Sequence, residues 1–262
     1  MVRRTRLGGT GLDSNTQAVR EEPSPPMLKT VLSKLRDPEV FPEIEVLREI
    51  LDETAIYRDL EVGRGGALRN AQSAGFYAGR LIESAANIGQ VVEEISLYTD
   101  LRERVLSGLR EAYPRVLDVR AKTEGNAIGI YLIEEGLKEP LPLSRVSDGT
   151  LKYLLLLLIL FHPRPPKVVC LEEPESGLHP DVVHKLADLL VEASQRMQLI
   201  VTTHSDGLVN ALTDHVESVV VCEHDGKGTR MERLERQKLK GWLENYSLGE
   251  LWSRGHIGGN RW

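Results

Sequence analysis

Three things are scarce in this chain. It has no G-x-x-x-x-G-K-[ST] phosphate loop, no apolar run of membrane-spanning length, and only two cysteines in 262 residues. Each shortage excludes something. The most apolar run, Leu154 to Phe161, is far short of the ~20 residues a bilayer span needs, so it reads as a buried helix. The N-terminus lacks the apolar core of a secretory signal. A cytoplasmic protein with no membrane partner is expected. Cys170 and Cys222 both sit in apolar runs that look like buried strands, and no further ligand lies near them at zinc-site spacing. Core thiols in a reducing compartment are therefore expected rather than a disulfide. The formal net charge is -6, so no chain-wide basic field draws nucleic acid or an acidic membrane. DNA stays open as a partner, but charge does not point to it. Arg3, Arg4 and Arg6 are read as part of a solvated tail rather than a binding patch. There is no internal repeat and no low-complexity segment.

What is present is an ordinary globular balance, 41% hydrophobic and 27% charged, with enough length for a sizeable core. Residues 1–27 are rich in Gly, Ser, Thr, Pro and charge, and end in Pro23-Ser24-Pro25-Pro26. They are expected to be an arm or loop. Residues 28–262 are expected to form the folded body: a helical part over about 42–112, an α/β core over about 115–235, and a tail over 236–262. Residues 42–52 carry Ile44, Val46, Leu47, Ile50 and Leu51 at helical spacing. Residues 54–80 read as irregular, and a long helix is expected over about 86–112.

The period then changes. Residues 115–121 and 127–134 read as two strands joined at Glu124-Gly125-Asn126. Beyond residue 147, helices at 151–161, 181–197 and 205–212 alternate with strands at 167–171, 199–202 and 217–222. That alternation predicts an α/β fold, a mainly parallel sheet with flanking helices.

Three motifs carry chemistry. In Val168 to Pro180 (VVCLEEPESGLHP), an apolar strand delivers Glu172 and Glu173 to its C-terminal edge, where open parallel sheets bind ligands. Adjacent carboxylates repel unless a cation intervenes. Mg²⁺ would relieve the repulsion and leave one acid free to polarise a water. An acidic surface loop is the plainer alternative, but it does not need the strand before or the Ser-Gly-Leu-His-Pro after. Ser147-Asp148-Gly149-Thr150 opens the apolar helix. It is either a phosphate-binding helix start or simply an N-cap. Val201-Thr202-Thr203-His204-Ser205 places a histidine after the next strand, at the same predicted edge.

In this order, SDGT, LEEPESGLHP and TTHS resemble the ATP-binding-cassette ATPases of the RecF-like and OLD-like group, and in particular a bacterial family of AAA-type ATPases related to RecF. The likeness extends to Ile56-Tyr57-Arg58-Asp59, the helix around Asn87, and Tyr246 to Trp252 through Gly258 to Trp262. It covers about residue 28 to the C-terminus, and it implies a P-loop NTPase fold and ATP as substrate with Mg²⁺. It further implies a role for each matching residue. Ser147, Asp148 and Gly149 fall in the signature motif that contacts the γ-phosphate of ATP held by a second protomer. Glu172 matches the Mg²⁺-binding Walker B acid, where many relatives have Asp, and Glu173 the general base. Ser176, Gly177 and His179 match the loop that crosses the dimer interface, and His204 the histidine that senses the γ-phosphate. A homodimer or a partner ATPase subunit follows.

The missing phosphate loop is the chief departure. Gly8-Gly9-Thr10-Gly11 and Gly63-Arg64-Gly65-Gly66 lack the following Lys and Ser/Thr and are read as loops. The chain looks like a family member without its first segment, and alone it is expected to be inactive in hydrolysis. A non-catalytic partner that supplies a signature motif in trans is the main alternative. A metal-dependent nuclease built on Glu172, Glu173 and Glu175, or a transporter ATPase, fits less of the pattern.

Overall fold

The computed structural model describes residues 3–4, 8–12, 19–23, 39–75, 79–224 and 226–259, with side chains from residue 39 onward. The chain divides into two units, Met1–Ala55 and Ile56–Trp262. The first holds an antiparallel sheet of β1 (Arg3–Arg4), β2 (Gly8–Leu12) and β3 (Val19–Pro23), in that order. The glycines Gly8, Gly9 and Gly11, expected in a loop, thus fall within a strand. The rest of the expected arm over 1–27 lies outside the described residues. Helix α1 (Pro42–Asp52) has the bounds its periodicity predicts, with Pro42 at its first turn. It buries Ile44, but Val46, Leu47, Ile50 and Leu51 are exposed. Strand β4 (Thr54–Tyr57) spans the boundary between the units.

In the second unit, β5 (Gln72–Ser73) precedes α2 (Ile88–Ser96) and α3 (Thr99–Ala112). The expected long helix is two because Tyr98, at φ -113 and ψ 94, leaves the helical region. The amides of Leu97 and Tyr98 turn to carbonyls three residues back, on Glu94 and Ile95. Strands β6 (Val116–Glu124), β7 (Ala127–Glu134) and β8 (Leu141–Pro142) follow. They form an antiparallel sheet with β5, in the order β5-β7-β6 with β8 on β7. Ile128, Ile130 and Leu132 alternate inward from β7, and α2 packs on β6 and β7. Gly89 permits that approach, since a Cβ there would lie 2.6 Å from Ile128 Cγ2.

Beyond its first polar turn and Lys152, helix α4 (Asp148–Leu160) is apolar all round, and its leucines are buried on every side. Then come β9 (Val168–Glu172), α5 (Pro180–Ala193), β10 (Gln198–Thr202) and α6 (Asp206–Ala211). Strands β9 and β10 pair in parallel, Val168 with Gln198 through Glu172 with Thr202, in a sheet ordered β10-β9-β4. The helix between the two strands makes this the crossover unit that the alternation predicts. The strand expected at 217–222 is β11 (Val220–His224), and it pairs antiparallel with β12 (Thr229–Arg233). Neither cysteine is a core residue: Cys170 is half-buried and Cys222 exposed, both as free thiols. Their strands bury only part of their side chains, so an apolar run did not amount to a buried one.

The chain ends with α7 (Arg236–Leu243) and α8 (Leu248–Ser253). Ser247 and Glu250 form a reciprocal capping box that starts α8. Helix α8 lies against α6 through Gly249, where a Cβ would meet Asp206 O at 2.7 Å and Asn210 Cβ at 2.8 Å. We expect Gly249→Val to force the two helices apart at a cost of about 1–3 kcal/mol. Urea unfolding would read the loss, and amide exchange would show it concentrated in α6 and α8; an unchanged midpoint would refute the contact. Among the described residues no helix is long and apolar enough to cross a membrane.

Candidate functional site

The parallel register sets the site. Because Glu172 pairs with Thr202, the two strands end level with each other, and the residues just beyond them emerge at one edge. Glu172 is exposed there. The chain turns at once: Glu173 adopts φ +41, an uncommon conformation for a side-chain-bearing residue. Its amide is tied to Thr202 O at 3.0 Å. Glu173 Oε1 stands 3.9 Å from His204 Nε2, with both side chains substantially open to solvent. The sequence-predicted carboxylate and histidine are therefore together.

The other motif residues surround this turn. Ser147 is the N-cap of α4: its Oγ accepts from Thr150 N at 3.2 Å, so the capping role is realised. Asp148 pairs with Arg69. Gly149 faces the turn after β9, where a Cβ would sit 3.1 Å from Gly177 O. The helix start and the Ser176–His179 loop are thus in contact within the chain. Gly177, at φ +78, makes the reversal that a larger residue would resist. His179 caps α5, its Nδ1 accepting from Asp181 N at 3.3 Å, and remains exposed.

With this geometry in place, comparison with known proteins is decisive. Residues 13–210 match the family described as "AAA domain, putative AbiEii toxin, Type IV TA system". The chain belongs to this AAA-domain family. It is 26% identical over 133 residues to the glutamine transport ATP-binding protein GlnQ of Geobacillus stearothermophilus, covering 50% of this chain and 53% of that protein. It is 28% identical over 108 residues to the phosphate import ATP-binding protein PstB of Thermotoga maritima, covering 41% and 42% respectively. The chain thus spans about half the length of these curated relatives. Among solved structures, the Smc head domain with a coiled coil and joint derived from Pyrococcus yayanosii gives a TM-score of 0.43 at 19% identity, covering 55% of this chain and 28% of that one. An SMC ATPase from a study of ATP-driven dimerization gives 0.38 at 18%, covering 57% and 95%.

The AAA-domain match takes in every motif residue from Ser147 to His204 and ends before β11 and α8. Its α/β fold, with a parallel strand pair and flanking helices, is of the P-loop NTPase kind.

Three residues of this AAA domain take roles that the sequence reading did not assign. Lys152, on the second turn of α4, donates to Ser176 O at 2.7 Å and Glu173 O at 3.3 Å. Burial holds its ammonium below the usual lysine range, against the opposing pull of Glu175, Asp59 and Glu173. A lysine at the head of an otherwise apolar helix was the signal available. Glu175 turns into the interior, where it accepts from Thr203 Oγ1; Thr203 Oγ1 in turn accepts from Ser205 N at 3.0 Å. This chain fastens the segment bearing His204 to the turn bearing Glu173. It also removes a carboxylate from the three-acid nuclease arrangement. Among the described residues no group of three His, Cys, Asp or Glu could hold a metal. Arg69 is the third: beyond Asp148, it donates to the carbonyls of Val62, Leu143, Ser144 and Val146 at 2.8 to 3.3 Å, holding the loop that leads into α4.

Proposed function

We propose that this AAA domain binds and hydrolyses ATP as a RecF-like, ATP-binding-cassette-type module that works as a dimer. The observation that carries the reading is the approach of Glu173 to His204 at the C-terminal edge of β9 and β10. A carboxylate there is placed to accept a proton from an attacking water. The neighbouring imidazole is placed to meet a terminal phosphate. Phosphoryl transfer needs mainly such positioning and charge neutralisation.

Glu172 suits Mg²⁺: it is an exposed hard-oxygen donor with no ion pair among the described residues. Mg²⁺ keeps several waters and takes one or two carboxylates besides the substrate phosphates, so a three-residue cage is not required. When bound, it would neutralise phosphate charge. Ser147 and Gly149 are assigned to the γ-phosphate of a nucleotide held by a second copy, with Gly177 and His179 beside them at the shared face.

The absence of G-x-x-x-x-G-K-[ST] from the chain favours a second reading. In it, the chain is a partner subunit that supplies its Ser147 segment to a complete ATPase. Phosphate release from Mg-ATP tests both. The purified chain is expected to show no turnover, because its sequence has no G-x-x-x-x-G-K-[ST] to supply the amide row and lysine of a phosphate loop. Turnover should appear when such a loop is restored in cis. If that protein stays idle and the chain instead raises the turnover of a complete ATPase, the partner reading holds. Absence of turnover in the first setting and of any rise in the second would overturn the ATPase function. In the restored protein Ser147→Arg should abolish ATP-dependent dimerisation, measured by sizing with Mg-ATP, while circular dichroism is unchanged. An intact ATP-induced dimer would remove Ser147 from the interface.

A further inference from the structure

One side of the loop entering α4 has no place in the scheme above. Arg64, Arg69, Asn70, Ser144, Arg145 and Val146 line an open cavity of about 580 Å³, within the rough 300–1,000 Å³ range of ligand pockets. None of the six is acidic, in a chain whose net charge is -6. The three arginines differ in their circumstances. The side chain of Arg69 is only 8% exposed, and it is engaged with four carbonyls and Asp148. Arg64 and Arg145 are exposed, and among the described residues neither side chain has an acidic partner or a hydrogen bond. Unpaired guanidiniums are ordinary on a surface; two of them flanking one cavity beside a third, buried one are a concentrated positive field. Among the described residues Asp148 holds the one carboxylate paired with the group, so three guanidiniums face one negative charge.

The glycine-rich turn that lacks a phosphate-loop lysine supplies one wall. Gly63 and Gly65 have open space where a Cβ would lie, whereas at Gly66 it would strike Glu61 O at 2.5 Å. The turn is therefore closed by Gly66, and Gly63 and Gly65 leave the approach to Arg64 unobstructed. Arg145 stands two residues before Ser147, so the cavity adjoins the start of α4, whose first-turn amides favour anions.

We propose that this groove binds the phosphate chain of a nucleotide, with Arg64 and Arg145 as its two guanidinium forks. Guanidinium matches phosphate oxygens in bidentate pairs. A ligand answering this excess of positive charge must carry at least two negative charges at close spacing, as a di- or triphosphate does. The choice of a nucleotide as the source rests on the ATPase reading; the recognition of linked phosphates does not.

The test is isothermal titration calorimetry on the full chain with inorganic tripolyphosphate, with ATP, and with a short single-stranded oligonucleotide, all without Mg²⁺. Tripolyphosphate and ATP are expected to bind one-to-one and to compete. The Arg64→Ala/Arg145→Ala double variant should weaken both by about tenfold or more, with its circular dichroism unchanged. The Arg64→Lys/Arg145→Lys variant, which keeps the charge but loses the forks, should fall between. Arg230→Ala, on the separate β11–β12 hairpin, should bind as the parent does. The proposal is overturned if tripolyphosphate does not bind or if the double alanine variant binds it unchanged. Binding of the oligonucleotide but not of tripolyphosphate would overturn it in favour of a nucleic-acid backbone. Hydrolysis by the loop-restored protein is a separate readout. Failure of the parent chain to bind tripolyphosphate, with turnover present in the loop-bearing protein, refutes this site alone; groove binding without turnover refutes the ATPase reading alone.

Discussion

Glu173→Gln is expected to slow ATP hydrolysis by about a thousandfold, within the 10²–10⁴ range of a general base, in protein whose phosphate loop has been restored. Nucleotide-driven dimerisation should persist. The substitution keeps the shape of the side chain and removes only its ability to accept a proton. The turn does not depend on the carboxylate. Its backbone is held by the Glu173 amide on Thr202 O at 3.0 Å and by Lys152 on the carbonyls of Glu173 and Ser176. The variant should therefore fold and bind ATP as the parent does, and differ in turnover. A single-turnover phosphate-release assay, run beside sizing in Mg-ATP, separates the two effects. Near-parental hydrolysis would show that some other group activates the water, and the assignment of Glu173 would be lost.

Leu157→Ala should destabilise the second unit by about 3 kcal/mol, within the 2–5 kcal/mol typical of buried Leu→Ala changes. Leu157 is fully buried in α4, and its Cδ2 lies 2.7 Å from where a Cβ on Gly108 of α3 would stand. Its branched end therefore fills the notch left by that glycine, and truncation opens a void between the two helices. For a unit of this size the loss corresponds to a fall in Tm of roughly 6–12 °C. Differential scanning calorimetry would measure it. A shift under about 2 °C would mean that α3 and α4 close up around the smaller side chain.

Much of the second half was legible in sequence because its signals are local. Residues 127–134 alternate in period two around an Asn-containing turn, and they form β7 with those bounds. The run at 151–161, apolar but for Lys152, forms most of the buried α4. A serine cap marked the beginning of α4, and the helix expected at 181–197 is α5, which starts one residue earlier and ends at Ala193. The strand–helix–strand order was enough to place Glu172, Glu173 and His204 at one edge. A parallel crossover between sequential strands puts both C-terminal ends on the same side.

Other features lay beyond any local pattern. The break at Tyr98 turns on a backbone conformation that an apolar periodicity does not encode. Cys222 sits in an apolar run, yet whether its strand is covered depends on what packs against it. Glu175 and Glu173 are near neighbours in one acidic turn. One faces inward to Thr203 and the other outward to His204, and the turn between them, with its positive φ at Glu173, is not readable from the order of residues. The clamp of Lys152 on that turn and of Arg69 on the carbonyls of the loop before α4 joins residues 21 to 77 positions apart. The sequence alone determined which chemical groups this protein carries, and in which order along two adjacent strands. The tertiary structure decided which of them meet, because side-chain direction and long-range hydrogen bonds arise only when the whole chain has closed on itself.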